Sequence, residues 1–181
     1  RIGSEQASFQ LLQLRRMIET EACALAAPLI GAEGIEQLER DLKNMRKAAE
    51  ANDVDVFVQY DLAFHDLILD SCGNALLRIL LEPLHGLMEK GRRETSSVPR
   101  VQRNAIEMHS AIILALRSGS PARGREAMIA QIRLRWWTDA IAEIYAGAAP
   151  RRHEVVEPLA LAIARGDLPR ALFDGMIEAR E

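Results

Sequence analysis

The stretch that decides the expected fold is Val54-Asp-Val-Phe-Val-Gln-Tyr-Asp-Leu-Ala-Phe-His-Asp-Leu-Ile-Leu69. With a helical period, one mostly apolar face carries Val54, Phe57, Val58, Asp61, His65 and Ile68. Asp61 and His65 are therefore expected to point into a protein core, one helical turn apart. An unpaired buried carboxylate is costly, so both side chains need partners. The spacing Asp-x-x-x-His lets two side chains bind one metal ion, and the alternative is a core pair that satisfies itself.

The composition around this stretch favours an all-α protein. Of 181 residues, 49% are apolar but only 4% are aromatic, and Leu, Ala, Ile, Arg and Glu are abundant. Six main helices are predicted, with a kink in the fourth at Pro83 and Gly86. They cover residues 9–30, 33–51, 54–72, 75–93, 100–118 and 121–146. The predicted fold is an antiparallel helical bundle followed by a C-terminal helical extension.

Three segments follow from this pattern: a linker or cloning remnant over 1–8, a helical domain over 9–147 and the extension over 148–181. The chain starts with Arg1 rather than Met and lacks a secretory signal, which indicates that it begins inside a longer protein. Cys23 and Cys72 fit no metal or redox spacing and are interpreted as small buried residues in a reducing, cytoplasmic compartment.

Charge and hydropathy exclude two classes of protein. No run of about 18 uncharged apolar residues occurs, so a membrane-spanning helix is not expected. The net charge is −3 and no strong basic patch is present, which argues against a free-standing nucleic-acid binder.

Polar side chains on otherwise apolar helical faces suggest a ligand pocket. There are five of them, on four predicted helices: Arg15, Asp61, His65, His109 and Gln131. A helical core seldom tolerates so many polar groups without a bound partner. Imidazole and carboxylate ligands suit zinc, nickel, manganese or iron. Arg15, with Arg92 or Arg93 as further candidates, would hold a carboxylate by a charge-assisted pair.

Several of these residues occur in motifs that resemble a known family, the effector-binding FCD domain of FadR-type GntR transcriptional regulators. The resemblance covers about residues 9–146. It rests on these motifs: Leu14-Arg-Arg-Met-Ile-Glu19 with Ala26-Ala27, Asp61-x-x-x-His65, Gly73-Asn74, and Glu107-Met-His-Ser-Ala-Ile112 before Gly119.

The resemblance implies a metal site inside the bundle. Family members bind the ion through an aspartate and three histidines, which here correspond to Asp61, His65 and His109. Gln131 stands where the fourth ligand is expected, 22 residues after His109. An amide oxygen is a weaker ligand than imidazole, so metal affinity is expected to be reduced.

The resemblance also implies partners for the domain. Family members act as homodimers and contact operator DNA through an N-terminal winged helix–turn–helix. That domain would precede the present chain, since residues 1–8 cannot contain it. The expected function is therefore sensing of a small organic acid, without catalysis. The segment after Pro150 is not explained by the resemblance.

Two other functions fit the same residues. One is a metal-dependent enzyme on a helical bundle, with Asp66 or Glu107 as a base. However, the Glu-x-x-His pairs of di-metal helical enzymes are absent from the sequence. The other is a metal-free interaction module in which Asp61 pairs with His65 or Arg15.

Overall fold

The computed structural model describes residues 4–151, 153, 155–166 and 168–178. These residues form helices and turns and include no strand, so the predicted all-α class is confirmed. The chain divides into two compact units, residues 1–132 and 133–181.

Most of the helices lie in the first unit. It contains α1 (Ser4–Ala26), α2 (Gly31–Glu50), α3 (Val54–Ser71), α4 (Ala75–Leu81), a 3₁₀ turn (Glu82–Leu84), α5 (His85–Ser96) and α6 (Pro99–Arg117). α7 (Pro121–Tyr145) begins in the first unit and continues into the second. α8 (Val156–Gly166) and α9 (Arg170–Glu178) complete the described part of the second unit.

Local chemistry explains where α3 and α4 begin. The Asp53 side chain accepts a hydrogen bond from the Val56 backbone N–H at 3.0 Å, and Asn74 accepts one from the Leu76 backbone N–H at 3.2 Å. Both side chains satisfy donors that a helix start leaves unpaired. Gly73 ends the turn after α3 at a φ of 72°, which a side chain would strain. The expected caps are confirmed.

The predicted fourth helix is two helices, α4 and α5. Pro83 lies in the 3₁₀ turn between them, where its missing N–H and its ring interrupt the helical hydrogen bonds. The interruption lies at Pro83, as expected, and takes the form of a 3₁₀ turn, whereas Gly86 lies within α5.

α3 is the central helix of the first unit. It packs against α1, α2, α4 and α5, and α2 also packs against α6. The core residues with the largest fully buried side chains come from several of these helices, namely Leu38, Met45, Phe57, Phe64, Ile68, Leu81, Ile112, Leu116 and Met128. The predicted helical bundle is confirmed, and it surrounds the buried face of α3.

The segment boundaries predicted from sequence differ from the helix and unit boundaries of the structure. Residues 1–3 lie outside the described residues, and α1 begins at Ser4, within the predicted 1–8 linker. The division between the two units falls after Ile132, inside α7. The boundary after residue 147 stays a prediction.

The extension is helical, as expected, through α8 and α9. Within the second unit, Arg151 pairs with the Glu143 carboxylate at 2.6 Å and lies 5.7 Å from the Trp136 ring centre. The Tyr145 hydroxyl donates a hydrogen bond to the Leu168 carbonyl.

None of the described helices is long and apolar enough to cross a membrane.

A close helix contact gives a stability prediction. A Cβ added to Gly124 of α7 would lie 2.9 Å from the backbone oxygen of Cys23 in α1. Because a backbone atom cannot move aside alone, Gly124→Ala should destabilise the protein by about 1–3 kcal/mol. Gly91→Ala is the matched control, since nothing lies within 4 Å of a Cβ there. That change should stabilise α5 by up to about 1 kcal/mol. Urea unfolding measures both, and equal stability of the two variants would contradict the contact.

Candidate metal centre

Three potential metal ligands meet inside the first unit. Asp61 and His65 lie one turn apart on α3, and His109 lies on α6. One ligand atom of each residue lies within 4.8 Å of the other two. Asp61 and His65 are each 4% exposed, and His109 is 0% exposed. Two helices that are distant in sequence therefore bring an acid and two imidazoles to a common centre.

The hydrogen bonds of His109 determine which ring nitrogen is available. Nδ1 lies 2.6 Å from the Ala105 carbonyl oxygen. A carbonyl only accepts, so Nδ1 carries the proton and Nε2 presents a lone pair. Nε2 lies 2.9 Å from Oδ1 of Asp61 but forms no hydrogen bond with it. Two buried acceptors that face each other are a suitable environment for a cation.

His65 is held in a similar way. Its Nδ1 lies 3.2 Å from Oε2 of Glu19, within hydrogen-bond distance but without the alignment of a full hydrogen bond. A proton on Nδ1 beside a carboxylate leaves the lone pair on Nε2. Burial, reinforced by the charge of Arg92, lowers the pKa of His65 to about 4. The imidazole is therefore neutral at neutral pH, which is the form that binds metals.

Gln131 lies beside His65 in this cluster. Its Nε2 lies 3.2 Å from Nε2 of His65, so the amide can donate to the His65 lone pair. The amide oxygen Oε1 is buried and has no hydrogen-bond partner. Turning the amide over would exchange the two atoms and place the oxygen beside His65. In the described orientation, the Gln131 amide nitrogen contacts Nε2 of His65. In the flipped orientation, the amide oxygen would lie there instead.

Two arginines and a second acid surround these residues. The guanidinium of Arg15 contacts the Glu19 carboxylate, with Nε 2.7 Å from Oε1 and Nη2 3.2 Å from Oε2. Arg92 forms an ion pair with Oδ2 of Asp61, and its Nη2 lies 4.0 Å from Oε1 of Glu19. All of these side chains are buried.

The arginines keep both acids ionised. Burial alone would raise the pKa of Glu19, but the charge of Arg15 and the contact with His65 lower it well below its ordinary value. Burial likewise opposes ionisation of Asp61, and the charge of Arg92 brings that pKa well below its ordinary value. The cluster therefore contains two carboxylates, two guanidiniums and neutral His65.

The structure brings together most of the residues singled out from sequence, but not all. Arg15, Asp61, His65, Arg92, His109 and Gln131 are all buried in or beside the cluster. Arg93 lies elsewhere: it is half exposed and pairs with Asp55 and Glu89. Asp66 pairs with Arg78, and Glu107 is exposed, so neither candidate base faces the cluster.

Glu19 is the residue that sequence reasoning missed. It is 2% exposed and contacts His65, Arg15 and Arg92. The available signal was its position one turn after Arg15, which places both on the same inward face of α1. A carboxylate beside Nδ1 of a histidine favours one orientation of the ring and raises the basicity of Nε2.

The role of Glu19 can be tested. Glu19→Gln removes the charge beside Nδ1 of His65, so metal affinity should fall by about tenfold or more. Glu21→Gln is the matched control on the same helix, because Glu21 is surface-exposed and pairs with Arg125 at 2.8 Å. Competition with a chelating dye measures both affinities, after circular dichroism has verified folding. Unchanged affinity in Glu19→Gln would show that Glu19 does not orient His65.

The donor set fits a divalent metal. It combines two imidazoles with a carboxylate, and no hydrogen bond engages the buried Nε2 of His109. Such nitrogen and oxygen ligands are those of zinc, nickel, manganese and iron sites. Asp61, His65 and His109 would hold the ion, and Gln131 could add an oxygen.

Comparison with known proteins gives two family matches. The profile of the FCD domain matches residues 10–134, which include every member of the cluster. The profile of squalene/phytoene synthase matches residues 116–181, about a third of the chain.

One curated relative extends this comparison. The HTH-type transcriptional regulator LutR of Bacillus subtilis (strain 168) is 31% identical over 129 residues. The match covers 68% of this chain and 58% of the relative. The chain therefore spans less than two thirds of the length of that regulator.

Proposed function

Since this chain belongs to the FCD domain family and is a ligand-sensing domain of the GntR-type regulators, we propose that it binds a small organic acid through a divalent metal ion. The metal would be zinc, nickel, manganese or iron, held by Asp61, His65 and His109 with Gln131 at the fourth position. The observation that carries the proposal is the buried Nε2 of His109, which faces a carboxylate oxygen at 2.9 Å without a hydrogen bond.

The effector would bind at the open positions of the metal. Three protein ligands leave coordination sites for the oxygens of a carboxylate. Arg15 and Arg92 are the buried cations beside these ligands and would pair with the same group. We leave Arg93 out of the site because its contacts are with Asp55 and Glu89.

Regulation would follow from a difference in effector affinity between two geometries of a homodimer. A ligand shifts an equilibrium only by as much as its affinity differs between the states. The DNA-binding partner in this proposal is a winged helix–turn–helix domain outside the present chain, and the proposed setting is the cytoplasm. The likeness to an HTH-type transcriptional regulator supports this proposal.

We propose regulation rather than catalysis. The two bases considered for an enzyme, Asp66 and Glu107, lie away from the cluster. The family match of the FCD domain also covers the whole ligand set, whereas the squalene/phytoene synthase match covers Gln131 alone among these residues.

Thermal unfolding tests the proposed function. Tag-free protein is melted with each of the four metals, with short mono- and dicarboxylic acids, and with both together. A ligand at a hundred times its Kd stabilises the native state by about 2.7 kcal/mol, which is easily measured. Stabilisation by an acid that requires the metal supports the proposal. No stabilisation by any combination would contradict it.

The fourth position gives a gain-of-function prediction. Gln131→His replaces an amide by an imidazole, a better ligand for zinc and nickel, and should raise metal affinity by about tenfold or more. Gln131→Leu is the control. It keeps Asp61, His65 and His109 as ligands and should bind the metal no more tightly than wild type does. Dye competition measures all three proteins. If Gln131→His binds no more tightly than Gln131→Leu, residue 131 does not reach the metal.

A further inference from the structure

The buried cluster is electrically balanced before any metal binds. Arg15 and Arg92 contribute two positive charges, and Glu19 and Asp61 contribute two negative ones. Each of the four residues is less than a tenth exposed. A divalent ion would add two uncompensated positive charges to a site with little solvent screening, so part of the existing charge has to move or be neutralised.

Arg92 is the positive group closest to the metal ligands. Its guanidinium contacts Oδ2 of Asp61, while Oδ1 of the same carboxylate faces Nε2 of His109 at 2.9 Å. One carboxylate, that of Asp61, therefore lies next to both the guanidinium of Arg92 and the proposed metal position.

Among the described contacts, Arg92 makes fewer short ones to carboxylates than Arg15 does. Its Nε is buried without a hydrogen-bond partner, and its other carboxylate contact, to Glu19, is 4.0 Å long. Arg15, in contrast, makes two contacts to Glu19 at 2.7 and 3.2 Å. Of the two cations, Arg92 is the one whose displacement breaks fewer short contacts.

We propose that Arg92 is an internal counter-cation that competes with the metal ion for the carboxylate of Asp61. The inference rests on the proposed metal site and assigns a regulatory role to a residue beside it. Metal binding would weaken the Arg92–Asp61 pair, and the released guanidinium would become available to an anionic effector. Metal and effector would then favour each other's binding, which is reciprocal by linkage.

A positioning role for Arg92 predicts the opposite result. If the guanidinium only orients Asp61 for the metal, its removal misaligns a ligand and weakens metal binding. Competition instead predicts tighter binding when the positive charge is removed. The sign of the change in metal affinity therefore distinguishes the two roles.

The test compares Zn²⁺ affinity in wild type, Arg92→Gln and Arg93→Gln. Arg93→Gln is the matched control, since it removes the same charge one residue away, from a surface pair with Asp55. Arg92→Gln should bind Zn²⁺ about tenfold or more tightly than wild type, and Arg93→Gln should bind as wild type does. Equal or weaker binding by Arg92→Gln, with a wild type that binds Zn²⁺, overturns the inference and leaves the metal site intact.

Arg92→Gln leaves Asp61 without its cation and could fail to fold in the absence of metal. Circular dichroism of Arg92→Gln with and without Zn²⁺ shows whether the variant folds in each condition. Competition predicts that Zn²⁺ restores the helical signal, because the ion replaces the missing positive charge. A variant that stays unfolded with Zn²⁺ overturns the inference. If neither wild type nor Arg93→Gln binds Zn²⁺, the proposed function itself fails.

Discussion

Replacing His109 by leucine should abolish metal binding and leave the metal-free protein within about 1 kcal/mol of wild-type stability. The two results have different causes. Metal binding fails because the ligand nitrogen Nε2 is lost. Stability is retained because leucine fills a similar volume beside Phe64, whose ring centre lies 4.3 Å from that of His109. The carbonyl of Ala105 keeps its backbone helical hydrogen bond.

Dye competition and urea unfolding measure the two effects separately. His85→Leu is the control, because His85 is a half-exposed histidine of α5 whose contact is a 3.9 Å approach to Asp66. That variant should bind metal as wild type does. Retained metal binding by His109→Leu would remove His109 from the ligand set. A loss of stability of several kcal/mol would instead show that its polar contacts hold the core together.

The second large effect is expected from Asp61→Asn. This change keeps the shape of the side chain but removes the carboxylate that pairs with the buried guanidinium of Arg92. Among the described contacts of Arg92 with carboxylates, only the 4.0 Å approach to Glu19 then remains. Breaking a buried ion pair by removing one partner costs about 3–5 kcal/mol. Metal binding should also be lost, because the anionic ligand is gone.

The chain provides a matched control for this prediction. Asp55 pairs with Arg93 between the same two helices, α3 and α5, but both side chains are exposed to solvent. Asp55→Asn should therefore cost less than about 1 kcal/mol. The comparison isolates burial, since both variants remove one carboxylate charge from an arginine. Equal stabilities of the two variants would contradict a buried, uncompensated Arg92.

Parts of the site could be predicted because they depend on local spacing. Asp61 and His65 share a face of α3 through their separation of one turn, which any helix of that register reproduces. His109 was identified as inward from the period of α6. Its approach to α3 depends on tertiary packing, and only the family resemblance indicated that these two helices meet.

Other parts depend on packing that spacing does not determine. Arg92 and Arg93 are neighbours in sequence, but only Arg92 is buried. The 3₁₀ turn at Pro83 interrupts the predicted fourth helix, so the leucine pattern before it does not indicate which of the two arginines points inward. A Glu one turn after Arg15 resembles an ordinary surface pair, so spacing alone does not predict the burial of Glu19.

The most direct measurement is anomalous diffraction from crystals grown with Zn²⁺, recorded above and below the zinc absorption edge. We expect one buried peak bound by Asp61 and by an imidazole nitrogen of each of His65 and His109, at about 2.0–2.2 Å. The absence of a peak there, with Nε2 of His109 still facing Asp61, would contradict the metal site and with it the proposed sensing of an acid through a metal.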